Sequence, residues 1–161
     1  MHPDGRPFSA DDIELCEPIV ERIRRDPARY LGARRPTAPF LASALIQDAL
    51  LCGARDVQVT MLDDGWVGVS ADRDWILPHL PPSRSLTYEH AFRTLIAFNQ
   101  AGPNSFRSEV LVAAFSTDIS ILWNSCVTFC VGSAAPSHIV QKLDPSRFTV
   151  LFRPAEAESQ P

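Results

Sequence analysis

The spacing of apolar positions changes several times along the chain, and each change marks an element. Pro18 suits the first position of a helix, and Ile19, Val20 and Ile23 give the segment after it one apolar face. Pro27 and Gly32 close that segment within "RRDPARYLG", and "ARRPTAP" reads as a loop. From Pro39 to Cys52, "PFLASALIQDALLC" is apolar almost all round and is followed by Gly53, the pattern of a buried helix with a glycine cap. The period then falls to two. Val57, Val59 and Met61 alternate with polar residues, Asp63-Asp64-Gly65 makes a turn, and Val67 and Val69 alternate on the return. A β-hairpin is expected here, running out into "VSADRDWILP".

Beyond it, "ILPHLPPSRS" is too rich in proline for regular structure. Ser85 or Thr87 is placed to cap a helix over "YEHAFRTLIAFNQ", with Phe92, Leu95, Ile96 and Phe98 as its buried stripe and Gly102-Pro103-Asn104 as its end. "SEVLVAAFS" reads as helix in preference to strand. "DISILWNSCVTFCV" is a second hairpin turning at Trp123-Asn124-Ser125, and "SRFTVLFRP" is a last strand. Helices interleaved with hairpins favour an α+β two-layer sandwich. Residues 1–16 read as a flexible arm with a short helical turn capped by Ser9 and Asp12, residues 17–154 as one domain, and residues 155–161 as a disordered tail.

Composition narrows the function classes. The chain has 161 residues, 45% of them hydrophobic and 21% charged, an ordinary globular mix of one-domain size. Its formal net charge of −4 argues against nucleic-acid binding through a global positive field. No apolar run approaches the roughly 20 residues that span a bilayer, and the N-terminal residues lack a leader pattern, so the expected location is the cytoplasm. Cys16, Cys52, Cys126 and Cys130 sit in apolar contexts and read as reduced, mostly buried thiols. Cys126 and Cys130 fall on one face of a regular strand but lack the tight two-residue knuckle and second pair of a zinc site. His2, His79, His90 and His138 match no metalloprotease pattern, and no P-loop, G-x-G-x-x-G or G-x-S-x-G motif occurs.

Two charged groups have alternative readings. Asp72, Arg73 and Asp74 suit either a solvated strand end or a charged ligand loop, whereas Asp63 and Asp64 are turn formers. Six arginines (Arg22, Arg24, Arg25, Arg29, Arg34 and Arg35) fall within fourteen residues of an acidic protein. They form either a solvated face or, with Tyr30, a surface for phosphates or an acidic partner.

Taken together, these pieces resemble the GHKL ATPase superfamily, and in particular the N-terminal domain of the ATP-hydrolysing subunits of DNA gyrase (gyrase B) and topoisomerase IV. "VERIRRDPARYLG" resembles the family's entry segment, in which an arginine-rich helix end runs into Arg-Pro-x-x-Tyr-x-Gly. The buried helix, the hairpin with its exit through Ile76 and Pro78, the helix around Phe92, the second hairpin and "FTVLFRP" follow in the family's order over residues 17–154. The resemblance implies a GHKL (Bergerat) sandwich, with a mixed, mostly antiparallel sheet covered on one face by helices.

The family's chemistry does not carry over. Its buried helix bears a Glu that activates water, an Asn that holds magnesium and an Asp, at spacings that share one helix face. Aligned on Gly53, those positions are Leu41, Leu45 and Asp48. The Asp-x-Gly-x-Gly that reads adenine matches Ala71-Asp72-Arg73-Asp74-Trp75, and a shift of one residue would put Asp72 in the acid's place. The glycine-rich phosphate lid matches "FRSEVLVAAFS", which has no glycine. The resemblance therefore implies a non-catalytic domain that has lost ATP hydrolysis and ATP binding, needs no cofactor or metal, and works by protein–protein contact through the Arg22–Arg35 segment. Expected partners are a second copy or a type II topoisomerase, with no direct nucleic-acid or membrane binding. Two alternatives stay open: a small-molecule, ATP or ADP binder with a remodelled pocket at Asp48, Asp72, Arg73 and Asp74, or a residual ATP/Mg-dependent ATPase domain of a type II topoisomerase.

Overall fold

The computed structural model describes residues 17–80 and 87–155. The expected arm over 1–16, with Cys16 and His2, the candidate cap Ser85 and the tail beyond Ala155 lie outside the described residues. The elements are α1 (Ile19–Arg25), α2 (Pro27–Leu31), α3 (Ala38–Leu51), β1 (Val57–Met61), β2 (Val67–Ala71), α4 (Tyr88–Arg93), α5 (Glu109–Phe115), β3 (Ser116–Trp123), β4 (Cys126–Val131), α6 (Ser137–Val140) and β5 (Phe148–Pro154). The five strands form one sheet in the order β1-β2-β5-β3-β4. Every pairing is antiparallel, so the expected mixed sheet is replaced by a purely antiparallel one.

The main core lies between the helical layer and one sheet face. Leu41, Leu45 and Ala49 of α3 pack there with Val67, Val69, Ala71, Ile119, Ile121, Phe148 and Val150. Local chemistry fixes α3 at both ends. Thr37 Oγ1 accepts from Phe40 N at 3.4 Å, leaving one fewer orphan donor in the first turn. At the other end Gly53, at φ +85, donates to Leu50 O while Ala54 N donates to Ala49 O, which closes the helix as a Schellman motif. The opposite sheet face is covered as well. Trp66, Leu122, Ala135, Leu151 and Ile139 of α6 form a second, smaller core there. The expectation of helices on one face only thus misses α6 and the segment that carries it.

Two local expectations change. The helix expected through Phe98 stops at Arg93, because Thr94 is extended (φ −129, ψ 141). Ile96 and Phe98 are buried while Leu95 is 44% exposed, an alternation of period two in place of a helical stripe. Phe98 N donates to Ser105 O and Arg107 N to Ile96 O, so residues 96–107 fold back on themselves around Gly102. The proline-rich loop also holds one turn of 3-10 helix at Leu77–His79.

β4 corrects the reading of its cysteines. The β3–β4 register slips between Ile121 and Leu122, with Thr128 as the extra residue of a bulge. Cys126 pairs with Trp123, whose ring packs in the main core, and Cys130 pairs with Ser120, on the opposite sheet face. The two thiols therefore lie on opposite faces, and both are exposed instead of buried.

Candidate functional site

Three segments that the resemblance matches to a nucleotide pocket, the end of α3, the exit of β2 and the start of α5, are joined by side-chain contacts. Leu41, Leu45, Asp48 and Cys52 follow one another on a single face of α3. Both leucines are fully buried core residues, so the two positions carry neither a base nor a metal ligand. Ala71 ends β2 and is also fully buried.

Trp75 packs edge-on to Phe148, with ring centroids 4.8 Å apart, and is 0% exposed. Arg107 bonds to its backbone. Its Nη2 donates to Trp75 O at 3.1 Å and to Glu109 Oε1 at 2.5 Å. Its Nε donates to Glu109 Oε2 at 3.1 Å, and its Nη1 lies 3.2 Å from Cys52 Sγ. The guanidinium sits 5.0 Å over the Phe98 ring. Arg107 is 1% exposed and Glu109 0%, so a bidentate ion pair is sealed in the core. Burial works against the charge on Arg107, but the hydrogen bonds and charge of Glu109 outweigh it and hold the guanidinium protonated.

Asp48 joins the cluster from α3. Its Oδ2 accepts from Ser108 N at 2.6 Å, at the start of α5. Burial, and then the negative charge of Glu109, push its pKa from 3.8 up to about 7; the Ser108 hydrogen bond and Arg107 oppose the shift. One cation faces two carboxylates, and Glu109 takes its bidentate bonds. The Cys52 thiol is also pushed up, chiefly by burial, and stays protonated.

The other acids expected in a ligand site have separate tasks. Asp74 Oδ1 accepts from Ile76 N and Leu77 N at 2.7 and 3.2 Å, forming the turn that leads away from the hairpin. Its Oδ2 accepts from Tyr88 OH at 2.8 Å. Burial and this bond raise the Tyr88 pKa, so the phenol remains a donor. Asp72 is exposed; its Oδ1 accepts from Arg55 N at 3.0 Å, the main reason that its pKa is lowered. Arg73 is half-exposed, 3.7 Å from Asp72. Grooves of about 310, 450 and 380 Å³ on the surface are lined by other residues. None of these grooves is lined by Asp48, Asp72, Arg73 or Asp74. Among the described residues, no group of three His, Cys, Asp or Glu side chains is placed to hold a metal.

The arginine segment divides in the same way. Arg24 donates through Nε and Nη2 to Ala114 O and Ala113 O at 2.7 and 3.0 Å, tying α1 to the end of α5. Arg25 pairs with Glu17 at 2.7 Å, Arg34 lies 6.0 Å over the Phe40 ring, and Tyr30 meets Phe106 edge-on. Arg22 is partly buried, whereas Arg29 and Arg35 are exposed. Three of the six, Arg24, Arg25 and Arg34, thus have partners within the fold. His90 caps α4 with Thr87, and His138 lies 3.3 Å from Asp64 at the hairpin tip.

Sequence reasoning did not single out Arg107, Glu109 or Cys52 as members of this cluster. One signal was present: an arginine and a glutamate two residues apart at the head of the otherwise apolar run "FRSEVLVAAFS". Charges entering a buried segment require partners, and here they are each other's. A comparison of the chain with protein-family models and with curated proteins finds no match to either. No helix among the described residues is long and apolar enough to cross a membrane.

Proposed function

We propose that the chain is a degenerate GHKL domain of the gyrase-B type that neither hydrolyses nor binds ATP and acts by protein–protein contact. The observation that carries this reading is the filling of the matched pocket by Trp75 and the Arg107–Glu109 pair. Leu41 and Leu45, buried where the resemblance requires Glu and Asn, support it from the catalytic side. The partner is a protein, either a second copy or a type II topoisomerase.

The test is calorimetry and thermal shift with ATP, ADP and a non-hydrolysable analogue, each with and without magnesium. The expected result is no binding heat and an unchanged midpoint. Stabilisation by nucleotide that disappears in Asp72→Asn would overturn the reading, because Asp72 would then be reading adenine with the motif shifted by one.

A further inference from the structure

The strand order leaves β1 at an edge, and its backbone pattern shows what that edge presents. Leu62 N donates to Trp66 O at 2.9 Å and Asp72 N to Asp56 O at 3.2 Å. In an antiparallel ladder, alternate residues bond to the same neighbour, so Gln58 and Thr60 also turn their backbone groups toward β2. Val57, Val59 and Met61 turn theirs outward. The side chains of these three lie on the helical face, opposite the buried Ala71, Val69 and Val67. Yet Val59 is 44% and Met61 68% exposed, and Leu50 and Leu51 in the last turn of α3 are exposed as well.

Sheet edges of folded proteins are normally blunted by a charge, a proline or a bulge. β4, at the opposite edge, carries the Thr128 bulge. β1, "VQVTM", has no such feature.

We propose that β1 pairs antiparallel with β1 of a second copy of this chain, about a two-fold axis at Val59, to give one continuous ten-stranded sheet. The proposal rests on the reading that the chain acts by protein contact, and it names the partner and the surface. That register sets Val57 opposite Met61 of the other copy and Val59 opposite its own mate, so each outward backbone donor and acceptor is matched. It also brings Arg55 near Asp63 of the other copy just beyond each end of the pairing, opposite charges in each case, although Asp63 already pairs with Lys142 of its own copy. The apolar side chains of both copies fall on the same face, because a two-fold axis normal to the sheet leaves the helical layers on one side.

The test is sedimentation of the full chain over a concentration series, with disulfide trapping to fix the register. Wild type is expected to show a monomer–dimer equilibrium, and Val59→Pro to stay monomeric with an unchanged far-UV spectrum, since proline is tolerated where the N–H points off an edge. In a chain with Cys16, Cys126 and Cys130 replaced by serine, Val59→Cys should cross-link under mild oxidation. Its Cα atoms would stand about 5.5 Å apart, within disulfide range. Thr60→Cys should not cross-link, because its mates lie about 8 Å apart on the diagonal. A wild-type chain that is monomeric throughout, or trapping at position 60 and not at 59, overturns the proposal. Neither result bears on nucleotide binding, so the reading of the closed pocket stands or falls separately.

Discussion

Replacing Asp48 by Asn tests whether the buried cluster behaves as its geometry requires. Asp48 is 3% exposed, and its pKa rises from 3.8 to about 7 through burial and the charge of Glu109. A carboxyl whose folded pKa lies above its unfolded one favours folding when protonated. Its contribution is fully present below pH 3.8 and is lost as the pH rises through about 7. Each pH unit in that window is worth about 1.4 kcal/mol, so the whole window is worth about 4 kcal/mol and the step from pH 5 to 7 about 2. Asp56, Asp63, Asp72, Asp118 and Asp144 are shifted the other way; their contributions are present above pH 3.8 and lost as the pH falls below it. The two windows do not overlap. Asparagine keeps an acceptor for Ser108 N and removes the titration. Urea unfolding at pH 5, 7 and 8 should therefore show wild type losing stability across the series in excess of Asp48→Asn, with the variant equal or more stable at pH 8. If both slopes are the same, Asp48 does not titrate in this window and the account of the cluster is wrong.

Two further outcomes can be checked. Arg107→Met leaves Glu109 and Asp48 buried without their cation, which should lower unfolding stability by about 3–5 kcal/mol, whereas Arg107→Met combined with Glu109→Gln should lose clearly less. Denaturant titration of the two variants separates a lost ion pair from lost packing. Mild oxidation of the monomer should form no Cys126–Cys130 disulfide, because the bulge puts the two thiols on opposite faces; intact mass showing a loss of two hydrogens within that segment would contradict the β4 register.

Much of the fold could be read from the sequence where one periodicity ran uninterrupted. The apolar run from Pro39 to Cys52 ends at Gly53, and α3 ends one residue short of Cys52. The alternation around Asp63-Asp64-Gly65 became the β1–β2 hairpin, with Asp64 and Gly65 both at positive φ. The turn at Trp123-Asn124-Ser125 likewise joins β3 to β4. What was missed lay where two periods fit the same residues. Phe92, Leu95, Ile96 and Phe98 suit a helix on paper, but the backbone bonds between residues 96–98 and 105–107 select the extended form. A four-residue spacing puts Cys126 and Cys130 on one face only in a regular strand, and no local residue announced the bulge at Thr128. The ionic cluster was legible only as isolated members. Asp48 stood out by alignment, but its neighbours Arg107 and Glu109 are about sixty residues away in sequence and meet it through the fold.

That cluster also bears on whether the three departures from the resembled motifs are independent of one another. Arg107 bonds to the backbone carbonyl of Trp75 at the hairpin exit, to Cys52 just past α3 and to Glu109 on α5, so one guanidinium ties together the three segments that the resemblance matches to a nucleotide pocket. Trp75→Gly alone would leave the carbonyl and its Arg107 bond in place. A glutamate restored at position 41 would enter a fully buried site on the same helix face as Asp48, and an uncompensated carboxylate there costs several kcal/mol. Such a side chain needs water or a cation, and Leu41 is fully buried, while the guanidinium of the cluster is already paired with Glu109. On the proposed reading, the core of this domain and the chemistry of its resembled relatives therefore exclude one another. On that reading, a nucleotide site here would require changes on all three segments at once.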